Sequence, residues 1–155
     1  MRRNLAGLIA EGLVPYNVAE RGQHLLSLRV VEDRVRLNGH DAGGEHARDA
    51  AYTAALIAAL EEAIEKPWIG GKSRRVLRNI LPLKEELLGK PVKERRTVAG
   101  REITQGHKVV KPGTIRTYYE PRALDSLAMA LAELEAEYRG ETSPNEAFGD
   151  ATPVR

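Results

Sequence analysis

The sequence of 155 residues contains no cysteine. That absence excludes a disulfide framework, a thiol nucleophile, an iron–sulfur cluster and cysteine-ligated zinc. Long hydrophobic runs are also missing: no stretch approaches the ~18 apolar residues a membrane helix requires. The apolar segment that follows Arg2 and Arg3 is broken by Gly7, Glu11 and Gly12, with no small-residue cleavage site after it. It therefore does not read as a signal peptide, and a cytoplasmic location is expected. Nucleophilic catalysis finds no support either. Ser27, Ser73, Ser126 and Ser143 lie in no nucleophile-elbow motif. The carboxylate pairs Glu61–Glu62 and Glu85–Glu86 are adjacent on helical segments, where neighbours diverge by ~100°. No catalytic residue and no cofactor is assigned.

What is present suffices for a folded chain. Hydrophobic residues make up 42% and charged residues 30%, enough apolar material for one core. A domain of this size buries about two thirds of the surface its unfolded chain exposes and needs no covalent staple. Net charge is only +2, but it is partitioned. Residues 1–71 hold 8 Lys+Arg against 10 Asp+Glu, residues 72–122 hold 14 against 5, and residues 123–155 hold 2 against 7. The middle segment thus carries +9, and local field rather than total charge attracts an anion. Glu133, Glu135 and Glu137 would cancel that field if they packed against it.

The periodicities predict an α+β domain of order α-β-β-α-α-β-β-α over residues 1–140, with antiparallel hairpins backed by helices, followed by a flexible acidic tail at 141–155. Residues 4–13 place Leu5, Leu8, Ile9 and Leu13 at helical spacing, with Asn4 as N-cap. Residues 25–31 and 34–38 alternate apolar and polar side chains around Glu32–Asp33, which reads as a hairpin. A long alanine-rich helix follows from about 45 to 66 with two apolar lines. An excess apolar face implies a sandwiched helix or a homodimer contact. A helix capped by Ser73 runs through Ile80 and restarts after Pro82, ending at Leu88. Strands are expected at 97–98 and 102–103, and at 107–110 and 114–119 across a Lys111-Pro112-Gly113 type II turn. The last helix spans about 121–139 and ends at Gly140.

Three constellations carry possible chemistry. Gly70-Gly71-Lys72-Ser73 resembles the end of a phosphate loop, but Lys66 stands where the motif needs glycine and no strand precedes it. Nucleotide hydrolysis is rejected. A helix N-terminus flanked by Lys72, Arg74, Arg75 and Arg78 still suits a phosphate. His40, Asp41, His46 and Asp49 are the metal candidates, in a spacing that matches no named ligand signature; they define a metal-dependent hydrolase as the lesser alternative. The third is the expected basic hairpin, with Lys108, Lys111 and Arg116 on phosphates and Tyr118 exposed for stacking while Tyr119 turns to the apolar side. Further basic residues precede it: Lys90, Lys93, Arg95, Arg96 and Arg101.

The leading expectation is a small non-catalytic protein that binds DNA or RNA through residues 72–116. The main alternative is a homo-oligomeric interaction or assembly protein built on the 45–66 helix. No membrane partner is expected.

Overall fold

Alanine-rich sequence with apolar residues on two sides dictates the helix at the centre of the fold. A computed structural model describes residues 1–37, 44–104 and 107–140. In it α5 (Glu45–Ile64) buries Ala51, Ala55, Leu56, Ala59, Leu60, Ala63 and Ile64. Small alanines let neighbours approach from both sides, while Leu56 and Leu60 supply volume. Those neighbours are α2 (Pro15–Arg21), α4 (Arg29–Leu37) and α9 (Glu120–Arg139), all from the same chain. Much of both apolar lines of α5 is thereby covered within the chain, while Ala50 and Ala54 of one line are exposed and Ile57 and Tyr52 are half-buried.

α9 buries a helical stripe of Ala123, Leu124, Leu127, Ala130, Leu131 and Leu134. Gly140 ends it in the left-handed conformation at φ 73°, which glycine adopts without steric cost. α6 (Gly71–Ile80) turns Val76, Leu77 and Ile80 inward and packs on both α9 and α7 (Val92–Glu102). α1 (Arg2–Glu11) adds Leu5, Leu8 and Ile9, and a short α3 (Gln23–Leu26) adds Leu25. These side chains form a single hydrophobic cluster.

The expected hairpins are not formed: among the described residues there is no strand, and the protein is all-helical rather than α+β. Residues 25–38 hold two periodicities at once. Leu26, Leu28 and Val30 alternate, but Val30, Val31, Arg34 and Val35 also follow the spacing of a helix face, and α4 takes that second pattern. The decisive term is tertiary. Glu135 on α9 accepts the N–H groups of Arg29 at 2.8 Å and Val30 at 3.1 Å, so the first turn of α4 is capped by a carboxylate from over a hundred residues away. Both of the expected strand fragments at 97–98 and 102–103 fall in α7 or at its end, with Arg95 and Ala99, and Ile103 just past the last turn, four apart on its buried side. The stretch 114–119 is likewise helical. Pro112 opens a short α8 (Pro112–Thr114), which continues through a π-helical stretch (Ile115–Tyr119) into α9. Pro112–Gly113 is therefore a helix start and not a type II turn; positive φ among described glycines occurs at Gly12, Gly89 and Gly140. Asn4 lies inside α1 and accepts the His24 N–H at 3.2 Å instead of capping its own helix. Ser73 is also interior, because Gly70 occupies the N-cap of α6. The proposed tail at 141–155 lies outside the described residues. No helix among them is long and apolar enough to cross a membrane.

The Glu135 cap has a measurable acid signature. Burial pushes its carboxyl upward, but the Arg29 and Val30 N–H bonds, joined by Arg139, outweigh burial and hold it below the ordinary glutamate range. A carboxyl depressed in the folded state stabilises above its unfolded pKa of about 4.3 and loses that contribution as pH falls through the folded value. Glu135→Gln is expected to cost about 1–2 kcal/mol at neutral pH and to shallow the fall of the urea midpoint below about pH 4.3. A variant whose acid limb keeps the parental slope would show that the cap carries no linkage.

Candidate functional site

Position on two helices and one crossing segment decides which cations of residues 72–122 reach solvent. Five of the fourteen are committed. Arg74 folds back onto the C-terminal end of α5, donating to the carbonyls of Ile64 and Lys66, each at 3.0 Å, and of Ile69 at 3.4 Å. Arg78 pairs with Glu65. Lys84 pairs with Glu102 at 3.0 Å. Arg95 is buried at 2% exposure, and burial holds its guanidinium below the ordinary arginine value. Arg96 forms a two-pronged pair with Glu120, at 2.7 and 2.9 Å, that ties α7 to the start of α9.

The other nine make no ion pair among the described residues: Lys72, Arg75, Lys90, Lys93, Arg101, Lys108, Lys111, Arg116 and Arg122. The acidic helix face does not cancel them. Glu133 and Glu137 engage Lys66 at 3.5 and 2.6 Å, Glu133 also accepts the Trp68 indole N–H at 2.8 Å, and Glu135 caps α4. The Glu137 hydrogen bond holds the Lys66 ammonium above its ordinary value, overcoming burial.

Buried polar bonds fix the framework under these charges. Asn79, fully buried on α6, donates to Glu102 of α7 at 2.6 Å, while Lys84 reaches both Glu102 and the Asn79 side-chain oxygen. Burial acts to raise the Glu102 carboxyl, but the Asn79 and Lys84 bonds win and hold it low, so it stays ionised. Around this knot a shallow depression is lined by Arg75, Arg78, Lys84, Arg101 and Glu102. With Arg78 and Lys84 paired, Arg75 and Arg101 are the cations of the depression that make no ion pair, although the Arg75 charge helps hold the Glu102 carboxyl low. Lys72, one turn before Arg75, shares that side of α6.

Arg101 links the depression to the rest of the basic segment. Its neighbour Glu102 faces Asn79 of α6, and its other neighbour Gly100 faces Val110, whose N–H donates to the Gly100 carbonyl at 3.0 Å. Consecutive helical side chains diverge by ~100°, so Arg101 projects outward between those two contacts. On the Val110 side, the Thr104 hydroxyl donates to the Lys108 carbonyl, holding Lys108 beside the end of α7. Lys111 precedes α8, and Arg116 and Tyr118 stand on the π-helical stretch.

Tyr118 is 49% exposed, with its ring perpendicular to that of Tyr119 at 4.9 Å. Tyr119 packs against the core. The Arg122 guanidinium lies 4.1 Å from the Tyr118 ring centroid, a cation–π contact that leaves its charge in place. Arg122 and Lys84 escaped the sequence reading. The strand assignment hid the i,i+4 relation between Tyr118 and Arg122, which a helix makes plain.

The structure thus brings Arg75 and Arg78 together with Arg101, and places Lys108, Lys111, Arg116 and Tyr118 on helix and connecting chain instead of a β-ribbon. Arg74 is instead engaged with backbone carbonyls at and just beyond the end of α5. Comparison with protein-family models, with curated proteins and with solved structures finds no match. Of the metal candidates, His40 and Asp41 lie outside the described residues, and His46 is exposed on the first turn of α5, with Asp49 half-buried one turn on. Among the described residues no three potential ligands converge.

Proposed function

We propose that this protein binds nucleic acid without catalysis, through the positive stripe that runs from Lys72 and Arg75 across Arg101 to Lys108, Lys111, Arg116 and Arg122. One observation carries this reading: Arg101 stands between the α6 cations and the 107–122 cations, joining two groups of uncompensated charge. Side chains of this kind neutralise phosphates and release counterions, a sequence-independent attraction. Exposed Tyr118, with the Arg122 guanidinium over its ring, adds an aromatic–guanidinium pair of the sort that stacks with an unpaired base. A β-ribbon in the major groove plays no part.

Fluorescence anisotropy with labelled single- and double-stranded DNA and RNA oligonucleotides tests it. Affinity is expected to fall steeply with salt. The double variant Arg75→Gln/Arg101→Gln is expected to weaken binding evenly across sequences and to reduce the log–log salt slope by about 2, one unit per phosphate contact. Arg2→Gln, whose partner is Asp125 at 3.0 Å, is the control and should leave the slope unchanged. Absence of binding to all four nucleic acids at low salt overturns the proposal.

A further inference from the structure

Between the C-terminal end of α1 and the turn around residues 82–91 lies a cleft of about 210 Å³. It is smaller than the ~300–1,000 Å³ of pockets that enclose drug-sized ligands. Leu13, Val14, Pro82 and Leu88 make its apolar lining, with Val14 and Leu88 half open to solvent. Arg95 forms part of the same wall, yet is 2% exposed. Its Nε–H donates to the Lys90 carbonyl at 3.1 Å, one Nη to the Ile9 carbonyl at 2.6 Å, and the other Nη to the Ile80 carbonyl.

Five N–H donors leave a guanidinium, and these bonds use three. The remaining two have no acceptor among the described residues, and no described carboxylate lies within ion-pair distance of Arg95. Glu120, whose charge favours it from a distance, is paired with Arg96. The rim residues Glu11 and Lys90 are exposed and opposite in sign, so the unbalanced charge of the cleft is that of Arg95. A buried cation whose hydrogen bonds go only to carbonyls, with two N–H groups left over and a small apolar cleft beside it, is matched by one monovalent anion carrying an apolar group.

We propose that this cleft binds a carboxylate on a short aliphatic chain, its oxygens accepting the unused Arg95 N–H groups and its chain covered by Val14 and Leu88. Phosphate and sulfate bring more charge than one guanidinium offsets and no apolar surface for the lining. The site is independent of the cationic stripe, which uses neither Arg95 nor α1.

Nuclear magnetic resonance of the full chain, following the Arg95 Nε–Hε signal, provides the test with sodium butanoate as probe. At constant ionic strength the signal is expected to move saturably, with half-saturation on the order of millimolar, while chloride and sulfate leave it in place. Leu88→Asp changes an exposed side chain at the mouth and should weaken butanoate at least about tenfold with the fold intact. A signal that does not saturate, that responds equally to sulfate, or that is indifferent to Leu88→Asp overturns the proposal.

Discussion

Gly100→Ala is expected to lower the melting temperature by roughly 10 °C, the combined effect of about 3–4 kcal/mol. A methyl group on Gly100 would stand 1.9 Å from the Val110 carbonyl oxygen and 3.0 Å from its carbon. Both atoms are backbone, so no side chain can rotate away; the 107–111 segment must lift from α7. Overpacking of this kind costs about 1–3 kcal/mol or more, and the Val110 N–H bond to Gly100 is lost with it, for about another 1 kcal/mol. Gly113→Ala is the matched control. A methyl there meets nothing within 4 Å, and alanine is the better helix former, so stability should hold or rise by up to about 1 kcal/mol. The pair also separates packing from charge in binding. Gly100→Ala removes no cation, yet displaces Lys108 and Lys111 from beside Arg101, so it should weaken nucleic-acid affinity at temperatures where the variant remains folded. Thermal unfolding followed by circular dichroism, with anisotropy on the folded fraction, reads both effects. A Gly100→Ala variant as stable as Gly113→Ala would contradict the close crossing.

That crossing also explains why part of the fold was legible in the sequence and part was not. α5 and α9 are 20 residues long, and their apolar residues recur at helical spacing over several turns, while α6 is shorter but bounded by Gly70–Gly71 and Pro82; Gly140 marks a stop that glycine favours. Their existence, and near enough their ends, follow from local pattern. The failures share one cause: short segments whose conformation is set by distant partners. Residues 25–38 satisfy strand and helix periods equally, and the Glu135 carboxylate that resolves the ambiguity arrives from α9. In α7, Gly100 and the β-branched Thr97 and Val98 depress helix propensity, while Arg95, Ala99 and Ile103 are held by packing. Ile115–Tyr119 is rich in residues that favour strands, and becomes helical as the continuation of α9 with Arg96–Glu120 fastening its end.

The candidate site was legible as charge and not as geometry. The excess in residues 72–122 is a property of composition and survives the change of fold. Which arginines are available does not follow from composition. Arg74, Arg75 and Arg78 look equivalent in the sequence, but the first donates to carbonyls at and just beyond the end of α5, the last pairs with Glu65, and Arg75 alone of the three makes neither kind of contact. Strand alternation places Tyr118 outward and Tyr119 inward; in the π-helical stretch Tyr118 is also exposed and Tyr119 packs on the core, for a different reason.

Arg95→Met is expected to cost about 3 kcal/mol despite the near match in length and the removal of a buried charge. Arginine here joins the ends of three segments: Ile9 in the last turn of α1, Ile80 at the end of α6 and Lys90 before α7. The Ile9 and Ile80 carbonyls, at helix ends, have no partner within their own helix, the Lys90 carbonyl lies in the turn before α7, and an unpaired buried acceptor costs about 1–3 kcal/mol. Three such losses exceed 3 kcal/mol, and recovery of the guanidinium's hydration penalty offsets part of them. Methionine fills the space of the aliphatic stem, so a large loss would measure the carbonyls and not a cavity. Arg95→Lys should lie between, because an ammonium keeps the charge and three donors but lacks the planar fork that reaches three carbonyls at once. Urea unfolding at neutral pH is the measurement, with equal slopes required for comparison. If Arg95→Met unfolds at the parental midpoint, the buried guanidinium is not what holds α1, α6 and α7 together.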